Sequence, residues 1–146
     1  MYFFDNGHFG KTQFMLEKAM DTAIVRRKVI ADNIANVDVP HFKRSHVTFE
    51  AQLRRALDSE KHVRMNEVPA KMTHSKHMPF FKSLDYRKVG IRSHIDYLST
   101  MRNDGNNVDV EHEMSLALKN QLRYQALSQK INSNFRTMNI VMRPGQ

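Results

Sequence analysis

Apolar residues recur with a helical period along two long stretches, one towards each end of the chain. Phe9, Leu16, Met20, Ala23, Ile30, Ile34 and Val37 fall on a seam of alternating four- and three-residue steps, with Gln13 and Arg27 filling its polar gaps. Such a stripe is one face of an α-helix, close to a heptad seam. The second stripe is longer and strictly alternates steps of four and three: Val110, Met114, Ala117, Gln121, Tyr124, Ser128, Ile131, Phe135, Met138 and Met142. Leu118, Leu122 and Leu127 widen it, and neither Gly nor Pro interrupts it before Pro144. The spacing predicts helices over 9–37 and 110–143. At 1.5 Å per residue they are roughly 40 Å and 50 Å long, enough to pair side by side as an elongated, antiparallel, coiled-coil-like hairpin.

The punctuation between the stripes is of two kinds. Asn36 and Asp38 suit turns, and Pro40 removes an amide donor and drives Val39 out of the α region, so the first helix ends by about Val37. Phe42 then returns a ring towards the packed face. Residues 45–59 read as a short second helix, with Phe49, Leu53, Ala56 and Leu57 on one face and Glu50 near its start. Residues 60–105 lack a sustained period and are expected to be irregular, docked by the Met78-Pro79-Phe80-Phe81 patch, with a short strand or helix between Tyr86 and Met101. Asp104-Gly105-Asn106-Asn107 is turn chemistry, Asp109 is a natural helix N-cap, and Glu111 and Glu113 suit a first helical turn. The expectation is a mainly α, single rod-type domain over 1–146, made of two terminal helices joined by a turn, a short helix and an irregular middle segment over 38–109.

Composition narrows the function classes. The 146 residues carry no Cys and no Trp, which removes disulfides and thiolate metal sites. No apolar run approaches the roughly 20 residues of a membrane span. The start, Met1-Tyr2-Phe3-Phe4-Asp5-Asn6, lacks the basic and apolar blocks of a secretory signal peptide. Those absences alone favour a cytoplasmic address, though export without a cleaved signal is compatible with them. A formal charge of +8 invites a polyanion partner. The basic residues are nevertheless dispersed, with short clusters only at Arg26-Arg27-Lys28, Lys43-Arg44 and Arg54-Arg55, and no nucleic-acid-binding motif accompanies them. His62, His74, His77 and His94 form no H-E-x-x-H pattern, and Asp109, Glu111 and Glu113 cap a helix rather than form a catalytic pair. Phosphate-binding glycine loops and a nucleophile elbow are absent. The residues therefore make no case for an enzyme, a cofactor, a metal or a small-molecule substrate. They leave a structural subunit, a basic helical protein binding nucleic acid or an anionic surface, and a soluble coiled-coil adaptor.

The run Asn33-Ile34-Ala35-Asn36, with Pro40, Phe42 and Lys43, resembles the N-I-A-N-x-x-T-P-G-Y-K signature that ends the first helix of bacterial flagellar rod, hook and related axial proteins. Val39 stands where that pattern has Thr, and His41 where it has Gly. Where the pattern's Gly holds a positive φ, His41 must accept the same strained conformation or the turn must differ. The run 104–109, then Glu113-Met114 and Asn120-Gln121-Leu122-Arg123-Tyr124-Gln125-Ala126-Leu127, is similar to the C-terminal segment of the flagellar basal-body rod protein family, closest to its proximal-rod FlgB branch. Phe49-Glu50-Ala51 and Leu53–Leu57 suit the segment after its turn, and the short chain fits a proximal subunit. The FlgC branch shares both terminal helices. The resemblance covers about residues 10–57 and 104–142.

It implies a structural subunit of the periplasmic rod, exported unfolded by the flagellar export apparatus without a cleaved signal, that transmits torque in motility. The partners it implies are other rod subunits (FlgB copies, FlgC and FlgF), FliE and the membrane-ring protein FliF, with no nucleic acid. Assembly contacts are expected at Ile30, Asn33, Ile34, Asn36, Pro40 and Phe42 around the first turn. On the last helix they are expected at Leu118, Leu122, Tyr124, Leu127, Ile131, Phe135 and Met138.

Overall fold

The computed structural model describes residues 8–65, 73–77 and 83–143. Their order is α1 (His8–Ala35), β1 (Ser45–Thr48), α2 (Glu50–Met65), a 3-10 turn (Tyr86–Lys88), β2 (Arg92–Ile95) and α3 (Val110–Met142). The fold is mainly α, with the two long terminal helices packed on each other. Two compact units are distinguished, residues 1–47 with 94–146, and residues 48–93.

The first unit is the helix pair and the loops at one of its ends. Three cross-links fix its direction: Asn33 to Glu113, Asn120 to the Ala23 carbonyl, and Asn134 to Gln13. As the position on α1 falls, its partner on α3 rises, so the helices are antiparallel. The start of α3 follows the sequence chemistry closely. Asp109 caps the helix by accepting from the Glu111 and His112 amides at 3.0 and 3.3 Å, and Glu111 and Glu113 occupy the first turn. Helix α1 stops at Ala35, two residues before the position anticipated from Pro40, because Asn36 begins a series of tight turns.

The seam on α3 differs from the heptad reading in its first half. Glu113 and Asn120 are buried and face α1, whereas Met114 and Gln121 are exposed. A residue next in sequence is turned by about 100° on a helix of 3.6 residues per turn, so seating Glu113 inwards carries Met114 out. The apolar period could not reveal this, because Glu113 is stabilised by partners distant in sequence. Further along, Leu127, Ile131 and Met138 are half-buried, as the period suggests.

Residues 45–48, anticipated as helix, form a strand. His46, Val47, Thr48 and Phe49 are a β-branched and aromatic run with β preference, and α2 begins only at Glu50. Within the first unit Arg44 accepts from the Asp96 amide at 2.9 Å and the His46 ring faces that of His94, which sets an antiparallel register for the two strands. In the second unit α2 runs six residues beyond the anticipated end, taking in Lys61, His62 and Arg64. Phe49 and Ala56 are buried there and Leu53 and Leu57 half-buried, the face the sequence gave to this helix. Buried Ser59 donates to the Ala56 carbonyl and accepts from the Leu84 amide at 2.9 Å. The Met78–Phe81 patch lies outside the described residues.

Candidate assembly interface

Among the described residues, the first unit buries four apolar residues, Ala23, Ile30, Val47 and Val108, against six polar ones, Thr22, Asn33, Asn106, Asn107, Glu113 and Asn120. Apolar burial alone does not close it, and hydrogen bonds at the loop end of the helix pair complete the task. The chemistry is that of asparagine amides, each of which presents both a donor and an acceptor and can pair with backbone as another strand would.

Asn33 accepts from the Ser45 amide at 3.0 Å and donates to the Ser45 carbonyl at 2.8 Å and to Glu113 Oε2 at 3.2 Å. Glu113, fully buried, is held on its other oxygen by Arg44 Nε. Asn107 accepts from the Arg44 amide at 2.6 Å and donates to the Asp96 carbonyl and the Ser99 hydroxyl. Asn106 has no exposed surface; its Nδ2 points at the carbonyls of Asn36, Val37 and Val39, at 3.2, 2.9 and 2.9 Å, while its Oδ1 accepts from the Val108 amide at 2.7 Å. The carbonyls just past the end of α1, each of which also accepts from an amide or from Arg102, thereby gain a further donor from a side chain 67 to 70 residues away in sequence. The Asn36 side chain donates to the Asp32 carbonyl at 2.7 Å, beside the Asn36 amide. Lys43 ties the same loops by donating to the Ser99 and Gly105 carbonyls.

The two turns also interlock sterically. His41 has φ +60°, the left-handed region expected at a position where the axial-protein pattern carries Gly. Its amide donates to the Asp104 carbonyl at 3.0 Å. Gly105 answers it with φ +77°, and a Cβ there would lie 2.9 Å from His41 Nδ1. Asp96 completes the loop cluster. The Ser99 hydroxyl, donating at 2.6 Å, holds its carboxyl below the ordinary carboxylate range, helped by the Ser99 and Leu98 amides.

The anticipated assembly residues therefore fall into two sets. Ile30 and Asn33 are buried inside the unit, and Ile34, Asn36 and Phe42 are half-buried around the turn, with Pro40 exposed on it. Leu127, Ile131 and Met138 are half-buried along α3. Leu118, Leu122 and Phe135, at 60%, 57% and 48% exposure, face outwards with Met114, and Tyr124 is partly exposed. Beside that face runs a groove of about 490 Å³ between α1 and α3. Ala23, Ile30 and Asn120 form its buried base, while Ile24 and Arg27 border it from α1 and Gln121, Tyr124 and Gln125 from α3. Asn120 donates to the Ala23 carbonyl at 2.8 Å, and its buried Oδ1 accepts no hydrogen bond from the described residues. Asn106, Asn107 and Glu113 are the structural residues that the apolar pattern passed over. The only sequence signal was polar side chains beside a turn, read as turn and cap chemistry. Among the described residues no group of three His, Asp or Glu side chains could hold a metal ion, and no helix is long and apolar enough to cross a membrane.

No family model matches the chain. Similar proteins share most of its length. It is 40% identical over 129 residues to the flagellar basal body rod protein FlgB of Borrelia hermsii, covering 88% of this chain and 93% of that one. Identity to the FlgB of Borreliella burgdorferi is 37% over 124 residues, 85% and 90% of the two chains. With the Bacillus subtilis FlgB it is 32% over 138 residues, 94% and 98%.

Proposed function

The chain belongs to the FlgB family of flagellar basal-body rod proteins, and we propose that it is a structural subunit of the proximal rod, built into the rod through its terminal helices. The observation that carries this reading is the set of exposed apolar side chains on α3, the row Met114, Leu118 and Leu122 and, further along the helix, Phe135. Apolar side chains in water gain free energy when a neighbour covers them, at about 25 cal/mol per Å² removed from water. A surface of this kind that meets a different surface on the next subunit generates an open helical array. The buried amide network has the complementary role of holding the ends of α1 and α3 in one geometry, so that successive subunits repeat the same contacts.

On this reading the subunit carries torque through packed helices and catalyses nothing. Its neighbours are further FlgB copies, FlgC, FlgF, FliE and the membrane-ring protein FliF, reached in the periplasm by the flagellar export apparatus without a cleaved signal. Leu118, Leu122, Tyr124, Phe135 and the half-buried Leu127, Ile131 and Met138 make contacts. Ile30, Asn33, Ile34, Asn36, Pro40 and Phe42 shape the turn that presents them.

Phe135→Asp tests it. On the free subunit the carboxylate stands at a half-exposed position at little cost. In a packed interface an unpaired carboxylate costs several kcal/mol or forces the contact open. Expression and helicity are expected to be unchanged, with the protein missing from purified basal bodies and the cells non-motile, whereas Lys61→Gln on the exposed side of α2 changes neither. Normal incorporation of Phe135→Asp would remove this end of α3 from the assembly surface.

A further inference from the structure

We propose that Tyr97 and Leu98, at the tip of the loop after β2, insert into the groove between α1 and α3 of a second copy of this chain, the Tyr97 hydroxyl donating to Asn120 Oδ1. The proposal rests on the reading of the chain as a rod subunit and names one contact between copies.

Tyr97 and Leu98 are 70% and 97% exposed, so both hold apolar side chains out in water. Their backbone is nevertheless tied on either side. The Asp96 amide donates to the Arg44 carbonyl at 2.9 Å, and the Asp96 carbonyl accepts from Asn107 Nδ2 at 2.8 Å. The Asp96 carboxylate accepts from the Leu98 and Ser99 amides and from the Ser99 hydroxyl, and the Ser99 carbonyl accepts from Lys43 at 3.2 Å. An apolar pair carried on a turn already fixed loses little further freedom when a partner covers it. The same ties hold the tip at the loop end of the helix pair. Asn120 meets α1 at Ala23, roughly 15 Å of helix back from Asn33, and the Tyr97 hydroxyl of its own chain does not reach it.

The groove asks for such an occupant. Its volume of about 490 Å³ has room for an aromatic and an aliphatic side chain together. Apolar Ala23 and Ile30 share its base with Asn120, whose buried Oδ1 accepts no hydrogen bond from the described residues. That acceptor calls for an N–H or O–H donor carried on an otherwise apolar side chain. Among the described residues, the exposed large apolar side chains carry only two such donors, the hydroxyls of Tyr97 and Tyr124. Tyr124 already borders the groove without meeting Asn120. Charge agrees with the fit, since Asp96 stands at the base of the tip and Arg27 at the rim of the groove. Hydrogen bonds from Ser99 hold the Asp96 carboxyl below the ordinary carboxylate range, so it stays ionised at neutral pH. Tip and groove are different surfaces, so the contact repeats head to tail and builds an open array, as a rod requires.

The test places a photoactivatable benzoylphenylalanine at Leu98 in a chain expressed beside the wild type in cells assembling flagella, and identifies what is attached to it in purified basal bodies. Two variants are followed alongside, Tyr97→Phe, which removes only the hydroxyl, and Leu98→Asp. Both positions are exposed, so helicity and the urea midpoint of the isolated subunit are expected to be unchanged. The expected adduct has the mass of two chains and joins the tip to residues 23–30 or 117–125 of the second copy. Tyr97→Phe is expected to lower the amount in basal bodies several-fold, and Leu98→Asp by about tenfold. An adduct within one chain, to a different protein or to lipid would overturn the proposal, as would no adduct at all. Normal incorporation of either variant would overturn it too. Any of these results leaves the rod-subunit reading standing while Phe135→Asp is excluded from basal bodies; absence of the wild-type chain from them would sink that reading as well.

Discussion

Asn106 is the side chain whose removal should cost the isolated subunit most for its size. Replacing it by alanine takes away the acceptor of the buried Val108 amide and the donor aimed at three carbonyls. One NH2 group has two hydrogens, so at most two of those three contacts count at full strength. Each of the three carbonyls keeps another donor, Arg102 on Val37 at 3.0 Å, the Val39 amide on Asn36 at 3.2 Å and the Phe42 amide on Val39 at 3.3 Å, so none of them is left bare. The loss is then about three effective hydrogen bonds at roughly 1 kcal/mol each, with a further ~1 kcal/mol because the Val108 amide is left buried without a partner. A total of about 3–5 kcal/mol is a large part of the ~5–15 kcal/mol that holds a domain folded. Asn106→Asp separates this account from a simple packing effect, since it keeps the shape. At neutral pH it sets a buried carboxylate against three carbonyl oxygens and is expected to be worse than alanine. A buried aspartate facing acceptors has its folded pKa raised, so part of the loss should return as the pH is lowered and the carboxyl becomes a donor. Urea unfolding followed by helical circular dichroism, with wild type, Ala and Asp compared at two pH values, measures all of this. An alanine variant within about 1 kcal/mol of wild type, or an aspartate variant as stable as the asparagine, would refute the view that this amide closes the end of α1.

Three other outcomes are expected. Gly105→Ala should destabilise by about 1–2 kcal/mol, because its φ is positive and its Cβ meets His41; His41→Gly, itself neutral or stabilising by about 0.5–1 kcal/mol, should shrink that penalty in the double variant, which urea midpoints will show. Glu113→Ala should cost about 3–5 kcal/mol by leaving Arg44 and Asn33 facing a buried gap, whereas Glu113→Gln, which keeps an acceptor, should cost clearly less in the same assay. Asp96 should titrate below 3.8 in carbon-detected NMR, and Ser99→Ala should move it up. Since its folded value is the depressed one, its contribution is present above 3.8 and lost as the pH falls through the lower folded value.

How much of this was legible beforehand differs from element to element. The period of apolar residues along each terminal segment was enough to place α1 and α3, because a long amphipathic helix is stabilised by a face written locally into the chain. Asp109 and Pro40 marked their ends for equally local reasons, capping and a missing amide. The positive φ at His41 was foreshadowed by the turn signature, in which a glycine holds that place. The exposed leucines were visible as an excess over what one helix partner could cover.

Tertiary structure alone decided the rest. Glu113 and Asn120 face inwards because Arg44, Asn33 and the Ala23 carbonyl wait for them, and no local pattern records partners 69 to 97 residues away. Ser45–Thr48 became a strand because β2, distant in sequence, supplied its pairing. Asn106 and Asn107 read as ordinary turn residues until the carbonyls they serve were brought beside them. The chain states its own apolar periods and stops; a hydrogen bond needs two groups at a given distance, and only the folded chain sets that distance.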